Sequence, residues 1–477
     1  MKQMKEYDLI VIGGGSGGLT AAAGAANMGA SVALIDDQPG LGGDCLHFGC
    51  VPSKAFITAA KEVHAVYKGA SEFGLTVSGE VRFNRAIERV HEAIDEIQEV
   101  DSDERFEKLG IEIFRGKGSF KDNHTVLIDG KNPIKGKRIV ISTGSSPKIP
   151  PLTGIESVSF ITNETIFNLT SLPKSTVFIG GGPVGLELAQ SLARFGSEVT
   201  ILETSESIFK KEDHDIIPIV TKELEKELSF IFNAEAKEIR EENGYKVITY
   251  LQNGEEKTIE SEAVMMSVGR KPNTDQLNLE TAGVESNKGY ITVNDSLQSS
   301  QSHIYAIGDV NGTFPFTHGA GMEGKLIVQN AVFGLKRKVS YDNVPWVTYT
   351  DPEVFHLGMT EKEAKEKHGD IRVFKVGTGD VDRFIAERKK NGLVKVITDM
   401  KGHILGAHAV GEDAGSWMQE IVFAKEHGHK IGDISTVIHP YPTKGAILNQ
   451  AADLYWREKL FDGWLPKVSE KYIKWVR

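Results

Sequence analysis

The chain has 477 residues, among them 50 glycines and only two cysteines, and its formal net charge is −11. Two thiols exclude a disulfide-stapled secreted scaffold and a four-cysteine zinc site, and the acidic balance argues against a nonspecific nucleic-acid binder. The length allows two to four domains of about 100–200 residues, and no apolar run approaches the ~18 residues of a membrane span.

The start, MKQMKEYDLIVIGGG, combines lysines with an apolar run. The run is short, broken by glycines and followed by no convincing cleavage site, so a buried strand in a cytoplasmic protein is expected rather than a signal peptide. Residues 8–12 predict that strand. Gly13-Gly14-Gly15-Ser16-Gly17-Gly18 follows, then a small-residue helix over 19–28 and a strand over 32–35 that ends at Asp36. Strand, glycine turn, helix, strand and acid in this order make a dinucleotide-binding unit. Gly13 permits the tight turn, Gly15 lets the backbone approach a pyrophosphate, and Gly18 lets helix and strand pack. Asp36 stands where a ribose diol is held.

Next comes Gly42-Gly43-Asp44-Cys45-Leu46-His47-Phe48-Gly49-Cys50-Val51-Pro52-Ser53-Lys54, at the ligand-binding edge of such a unit. In a regular helix, residues five apart are separated by about 8–9 Å at Cα, more than the ~7 Å a disulfide tolerates. Either the cysteines do not pair or the helix between them is interrupted; Gly49 and Pro52 favour interruption. Redox chemistry is the favoured use of one close pair in a cytosolic chain. A metal site with His47 contributing and an unreactive pair are the alternatives.

Further along, 84–108 predicts an amphipathic helix and 138–142 a strand, followed by Thr143-Gly144. The proline-rich 147–151 marks a domain boundary. The first grammar then returns. Val177-Phe178-Ile179 precede a second fingerprint (Gly180, Gly182, Gly185), a helix to about Phe195, and a strand over 199–202 ending at Glu203. Glu203 can accept from a ribose diol and repels a 2′-phosphate, so NADH is expected over NADPH; Lys210 and Lys211 just downstream soften that exclusion. A second boundary falls near Gly269-Arg270-Lys271-Pro272. From about Pro345 there is no glycine fingerprint. Strands over 393–397 and 404–410 and a helix over 414–426 predict a separate, non-nucleotide domain. The tail, 453–477, carries Trp456, Trp464 and Trp475 and is expected to pack against a dimer.

The cysteine motif, both fingerprints and His439-Pro440-Tyr441-Pro442-Thr443 together resemble the flavin-dependent pyridine nucleotide–disulfide oxidoreductases. The branch is that of dihydrolipoamide dehydrogenase, glutathione reductase and mercuric reductase, and the resemblance spans nearly the whole chain. It implies an α/β fold with two Rossmann-like dinucleotide-binding domains, for FAD and NAD, plus a C-terminal α+β dimerisation domain. The implied domains are 1–150 (FAD, first part), 151–271 (NAD(P)), 272–343 (FAD, second part) and 344–477 (interface). Thr143-Gly144 looks like the crossing between domains and Gly269-Arg270 like the return. Asp309, in Ile304-Tyr305-Ala306-Ile307-Gly308-Asp309, looks like the ribityl-binding aspartate. The resemblance implies that NADH reduces FAD and that two electrons pass to a Cys45–Cys50 disulfide. Cys50 would be proximal to the flavin, Cys45 the interchange thiol, and Lys54 paired with Glu187 near the flavin. It also implies a homodimer, because the family builds each substrate pocket from two chains.

One stretch departs from the pattern. The family's general base is a histidine before Pro-Thr, with a glutamate five positions later to orient it. Aligned on Pro442-Thr443, this chain has Tyr441 and Ala446 there. Mercuric reductase similarly has a tyrosine, which with a pKa near ~10 is a poor base at neutral pH. His439 is the other candidate, since residues two apart point the same way in extended chain. The expected activity is that of a dihydrolipoamide dehydrogenase-like NAD(P)H:disulfide oxidoreductase. The alternatives are a mercuric reductase-like metal-ion reductase and a quinone or diaphorase-type flavoprotein or redox sensor. The acceptor is thus a small disulfide, a metal ion or a quinone. No nucleic acid, membrane span or resident metal is expected.

Overall fold

The computed structural model describes residues 4–461 and 465–477. They form two compact units, Met1–Thr204 with Ile231–Tyr341, and Ser205–Phe230 with Asp342–Arg477.

In the first unit, strand β1 (Glu6–Ile12) lies between β2 (Val32–Asp36) and Asn132–Ile141, parallel to both. Ile111–Arg115 extends the sheet beyond β2, and Ile304–Ala306 pairs with the end of Asn132–Ile141. A central parallel strand is covered on both faces, so it reads as a continuous apolar run; Leu9, Ile10, Val11 and Ile12 are all buried. Helix α1 (Ser16–Asn27) packs Ala21, Ala22 and Ala25 against this sheet. It starts before the predicted residue 19, because the last fingerprint glycines form its first turn.

A second parallel sheet sets Ser175–Ile179 between Glu198–Leu202 and Ala263–Met266, with helix Pro183–Phe195 as the crossover. An antiparallel three-stranded sheet spans 234–261. Two predicted elements differ. The helix over 84–108 is two helices, Phe83–Val100 and Asp103–Lys108, because Ser102 turns extended and caps a new start rich in acid. The strand over 138–142 is the end of a longer one whose first half pairs antiparallel with Thr125–Ile128.

The second unit is built on a five-stranded antiparallel sheet in the order Trp346–Thr348, Glu353–Gly358, Ile404–Gly411, Leu393–Asp399, Ile371–Gly377. Helix Ala446–Phe461 covers it with Ile447, Leu448, Ala451, Ala452 and Tyr455. The predicted helix over 414–426 is split into Ala414–Trp417 and Gln419–Glu426 at the fully buried Met418. In the tail, Trp456 donates Nε1–H to the Gly432 carbonyl at 2.9 Å, whereas Trp475 is 81% exposed on a helix, Leu465–Val476, that buries none of its residues. Trp464 lies outside the described residues. Among the described residues, no helix is long and apolar enough to cross a membrane.

Candidate active site

The first fingerprint closes around backbone. Gly13 has φ +107, and a Cβ there would stand 2.4 Å from the Ser142 carbonyl oxygen. Gly43, at φ +59, lies against Gly15, and its Cβ would stand 2.7 Å from the Gly15 Cα. The amide of Gly42 donates to the Gly14 carbonyl at 2.9 Å, which ties the fingerprint to the start of the cysteine segment. A Cβ on Gly18 would meet the Gly13 carbonyl oxygen at 2.0 Å, so the turn and α1 pack at backbone distance. Asp36 ends β2 with its carboxylate accepting from the Gly14 amide and, at 2.8 Å, from the Gln38 amide. Burial pushes its pKa up while those hydrogen bonds oppose the rise.

The second fingerprint repeats this contact. Gly180 has φ +103 and donates to the Leu202 carbonyl at 2.9 Å. Glu203 accepts from the Gly181 amide at 2.8 Å, as Asp36 does from Gly14. Gly182 caps helix Pro183–Phe195, where proline at the first position loses no hydrogen bond. Gly185 faces Gly180 and Ser267 at distances that leave no room for a side chain. Lys210 and Lys211 are exposed and belong to the second unit.

Thr143 and Gly144 are tied to the segment after Gly269. Thr143 Oγ1 donates to the Asn273 carbonyl at 2.8 Å, and the Asn273 amide to that of Gly144 at 3.0 Å. Ser145–Pro147 pairs antiparallel with Arg270–Pro272. Arg270 donates through Nε to Ser145 Oγ at 2.6 Å, and its Nη2 lies 2.9 Å from Asp44 Oδ1. Ser145 Oγ in turn donates to Asp309 at 2.5 Å. The turn carrying Asp309 is held by Glu323, which is fully buried and accepts from the Gly308 amide at 2.6 Å, from Asn311 and from the Tyr341 hydroxyl.

The helix between the cysteines is interrupted. Cys45 lies in α2 (Gly43–His47) and Cys50 opens α3 (Cys50–Phe73), with Phe48 and Gly49 in non-helical conformation between them. Pro52 sits in the first turn of α3, where its missing amide costs nothing. Both cysteines are thiols, and Cys50 Sγ is 3.1 Å from Thr317 Oγ1. A hydrogen bond from Cys45 holds the Cys50 thiol below its ordinary range; the Thr317 hydroxyl and the Lys54 charge add to this, and desolvation opposes it. The same hydrogen bond, with burial, pushes the Cys45 thiol up. Lys54, one turn into α3, lies 2.8 Å from Glu187, which is 6% exposed on helix Pro183–Phe195. His47 Nε2 contacts the Leu41 carbonyl at 3.2 Å. Among the described residues, no cluster of three metal-ligating side chains includes either cysteine.

In the second unit, His439 and Tyr441 diverge. His439 Nε2 is 2.8 Å from the Glu420 carboxylate and its Nδ1 3.1 Å from the Val437 carbonyl. Tyr441 is 79% exposed, and its hydroxyl donates to Asp382 at 2.8 Å, which raises its pKa. Tyr441 and Pro442 form a bend where an extended segment was expected, and the two side chains find different partners.

Residues 7–324 match the family model "pyridine nucleotide-disulphide oxidoreductase", and 344–452 match the dimerisation domain of that family. The chain belongs to the pyridine nucleotide-disulphide oxidoreductases. It is 34% identical over 450 residues to a mercuric reductase of Lysinibacillus sphaericus, covering 94% of this chain and 82% of that one. It is also 34% identical over 456 residues to a dihydrolipoyl dehydrogenase of Geobacillus stearothermophilus, covering 94% and 96%. Among solved structures, the Cu(II) complex of the HOCl-induced flavoprotein disulfide reductase RclA from Escherichia coli matches with a TM-score of 0.84 at 27% identity, over 94% of this chain and 100% of that one.

As a member of this family the protein is an FAD-dependent oxidoreductase acting on sulfur groups with NAD(P). The cradle fits FAD on its own terms: glycines whose Cβ atoms would fill it, and a buried acid at the strand end for a ribose. Four residues of the cradle were missed from sequence. Asp44, Ser145, Thr317 and Glu323 read as ordinary polar residues, and only Asp44 carried a signal, its place inside the cysteine motif.

Proposed function

We propose that this oxidoreductase relays two electrons from NADH through the Cys45–Cys50 pair to a thiophilic acceptor. The observation that carries this reading is the placement of Cys50 at the start of α3, beside Thr317 and one turn before the Lys54–Glu187 ion pair. FAD, held by Gly13, Gly15, Gly18, Gly43, Asp36, Thr143, Gly144 and Asp309, supplies hydride acceptance and two-electron transfer when bound. The thiols do the rest. Cys50 is held as the thiolate, and Cys45, which keeps its proton, is the interchange thiol. Arg270 positions Asp44 and Asp309, and Glu203 with Gly180, Gly182 and Gly185 receives NADH in preference to NADPH.

Two acceptors are compared by what they need from a base. A lipoamide-type disulfide needs a proton moved at the interchange thiol. Tyr441 spends its hydroxyl proton on Asp382, and both nitrogens of His439 already face acceptors. A soft metal ion needs no such base, since it binds thiolates directly. Oxidation of the Cys50 thiolate and Cys45 thiol to the disulfide releases two electrons and one proton, enough electrons for one Hg(II) or two Cu(II). Metal-ion reduction is therefore the favoured acceptor chemistry, with a small disulfide second and a quinone third. The mercuric reductase relatives and the copper complex of the RclA structure support this order.

The working form is proposed to be a cytoplasmic homodimer joined through 344–477, with FAD bound by 1–150 and 272–343 and NADH by 151–271. The test is steady-state turnover with NADH against Hg(II), Cu(II), lipoamide and a quinone. The proposal expects metal-ion turnover that is abolished in Cys45→Ser. Lipoamide turnover as fast as that of the metal ions would contradict the preferred acceptor. Full activity in the double cysteine-to-serine variant would contradict the thiol relay itself.

A further inference from the structure

A second cluster of ligating side chains lies wholly within the second unit. Glu212, His356 and His408 bring a carboxylate oxygen and two imidazole nitrogens within 4.8 Å of one another, and all three residues are buried. They come from three segments. Glu212 belongs to 205–230, His356 to strand Glu353–Gly358, and His408 to strand Ile404–Gly411, directly opposite His356 in the ladder.

In each imidazole one nitrogen is committed to a backbone carbonyl. His356 Nε2 is 2.9 Å from the Gly358 carbonyl, and His408 Nε2 is 2.9 Å from the Met359 carbonyl. A carbonyl oxygen only accepts, so each Nε2 carries its proton. In His408 this leaves Nδ1 with a lone pair, and that atom is buried without any hydrogen-bond partner. Sealing such an atom from water is rare in a folded protein. In His356, Nδ1 lies 2.9 Å from Glu212 Oε2, a contact that needs a proton between nitrogen and carboxylate. Trp346 stacks on His356 with centroids 3.5 Å apart and donates Nε1–H to Glu212 Oε1 at 2.8 Å, which orients the carboxylate.

The geometry points to a metal site: we propose that Glu212, His356 and His408 bind one divalent cation of the zinc class. Two imidazoles and a carboxylate are a zinc ligand set. A ligating histidine that donates its other N–H to a backbone carbonyl is the usual supporting contact, and both histidines make it. The cation takes the place of the proton between His356 and Glu212. Ligands of a tetrahedral zinc stand roughly 3.3 Å apart, within the 4.8 Å that bounds the separation of these atoms. The bound ion would staple the 205–230 segment to two strands of the sheet. Nothing in the sequence suggested it, because the ligands stand at 212, 356 and 408, with no motif spacing.

The test uses the FAD-loaded Cys45→Ser/Cys50→Ser protein, so that the thiols cannot hold the ion. After chelator treatment it is dialysed against Zn(II), and bound metal is measured per chain. One zinc per chain is expected, with affinity reduced at least tenfold in His408→Gln and in Glu212→Gln. Should His408→Gln fail to fold, as judged by its FAD content, Glu212→Gln decides. Absence of retained zinc, or unchanged affinity in the variants that fold, would overturn the proposal.

Discussion

Cys50 and Thr317 lie 267 positions apart in sequence, yet the sulfur of one stands 3.1 Å from the hydroxyl oxygen of the other. Thr317 is the first residue of helix Thr317–Ile327, so α3 and that helix begin at the same place. The hydroxyl favours the Cys50 thiolate, and Thr317→Val removes it. We expect the Cys50 pKa to rise and the rate of reduction by NADH to fall about tenfold, for the loss of one hydrogen bond to a charged group. Rapid-mixing absorbance of the FAD-loaded variant measures both.

The pH dependence has a definite sign. Cys50 is depressed below the ordinary thiol range, so its thiolate persists as pH falls below that range and is lost only on passing below the depressed value. Thiolate-dependent absorbance should therefore lose intensity at a lower pH than for a free cysteine. Lys54→Met removes a positive charge that favours the thiolate, so the loss should move to higher pH. A spectrophotometric titration of both proteins checks this.

Gly43→Ala tests the cradle. A side chain there meets Gly15 at 2.7 Å on a backbone with φ +59. Backbone strain on the order of 1–3 kcal/mol should lower the melting temperature and weaken FAD retention, read from the flavin content of purified protein. Gly29→Ala is the control: its φ is also positive, but its Cβ meets nothing within 4 Å. It should be strained yet keep its FAD.

Glu203→Ala should narrow the preference for NADH. Glu203 accepts from the Gly181 amide and is placed to meet a ribose diol. Removing the carboxylate removes its repulsion of a 2′-phosphate, so kcat/KM for NADPH should rise relative to NADH. The ratio of the two, measured with one acceptor, gives the answer.

The parts that were legible in sequence are those where backbone chemistry is local. The fingerprints were readable because Gly13, Gly180 and their neighbours leave no room for a Cβ, and the interruption between Cys45 and Cys50 because Gly49 and Pro52 break a helix. What stayed hidden depends on distant segments meeting. Thr317 and Ser145 gain their roles from partners far along the chain, and Glu323 from the turn before its helix and from Tyr341 after it. The His439–Glu420 pair was missed for the same reason: the acid comes from helix Gln419–Glu426 and not from position 446. His439 and Tyr441 do not share a direction because a bend at Tyr441 and Pro442 replaces extended chain there.

The central claim is that Cys50 supplies a thiolate to the flavin and that the cysteine pair carries the electrons onward. Anaerobic titration of the FAD-loaded protein with NADH, followed at long wavelength, tests it most directly. The account expects a thiolate-to-flavin charge-transfer band after two electrons per chain, absent in Cys50→Ser; in Cys45→Ser, which has no disulfide to reduce, the band stands before NADH is added and is lost as the flavin is reduced. A wild-type protein that goes straight to fully reduced flavin without that band would contradict it.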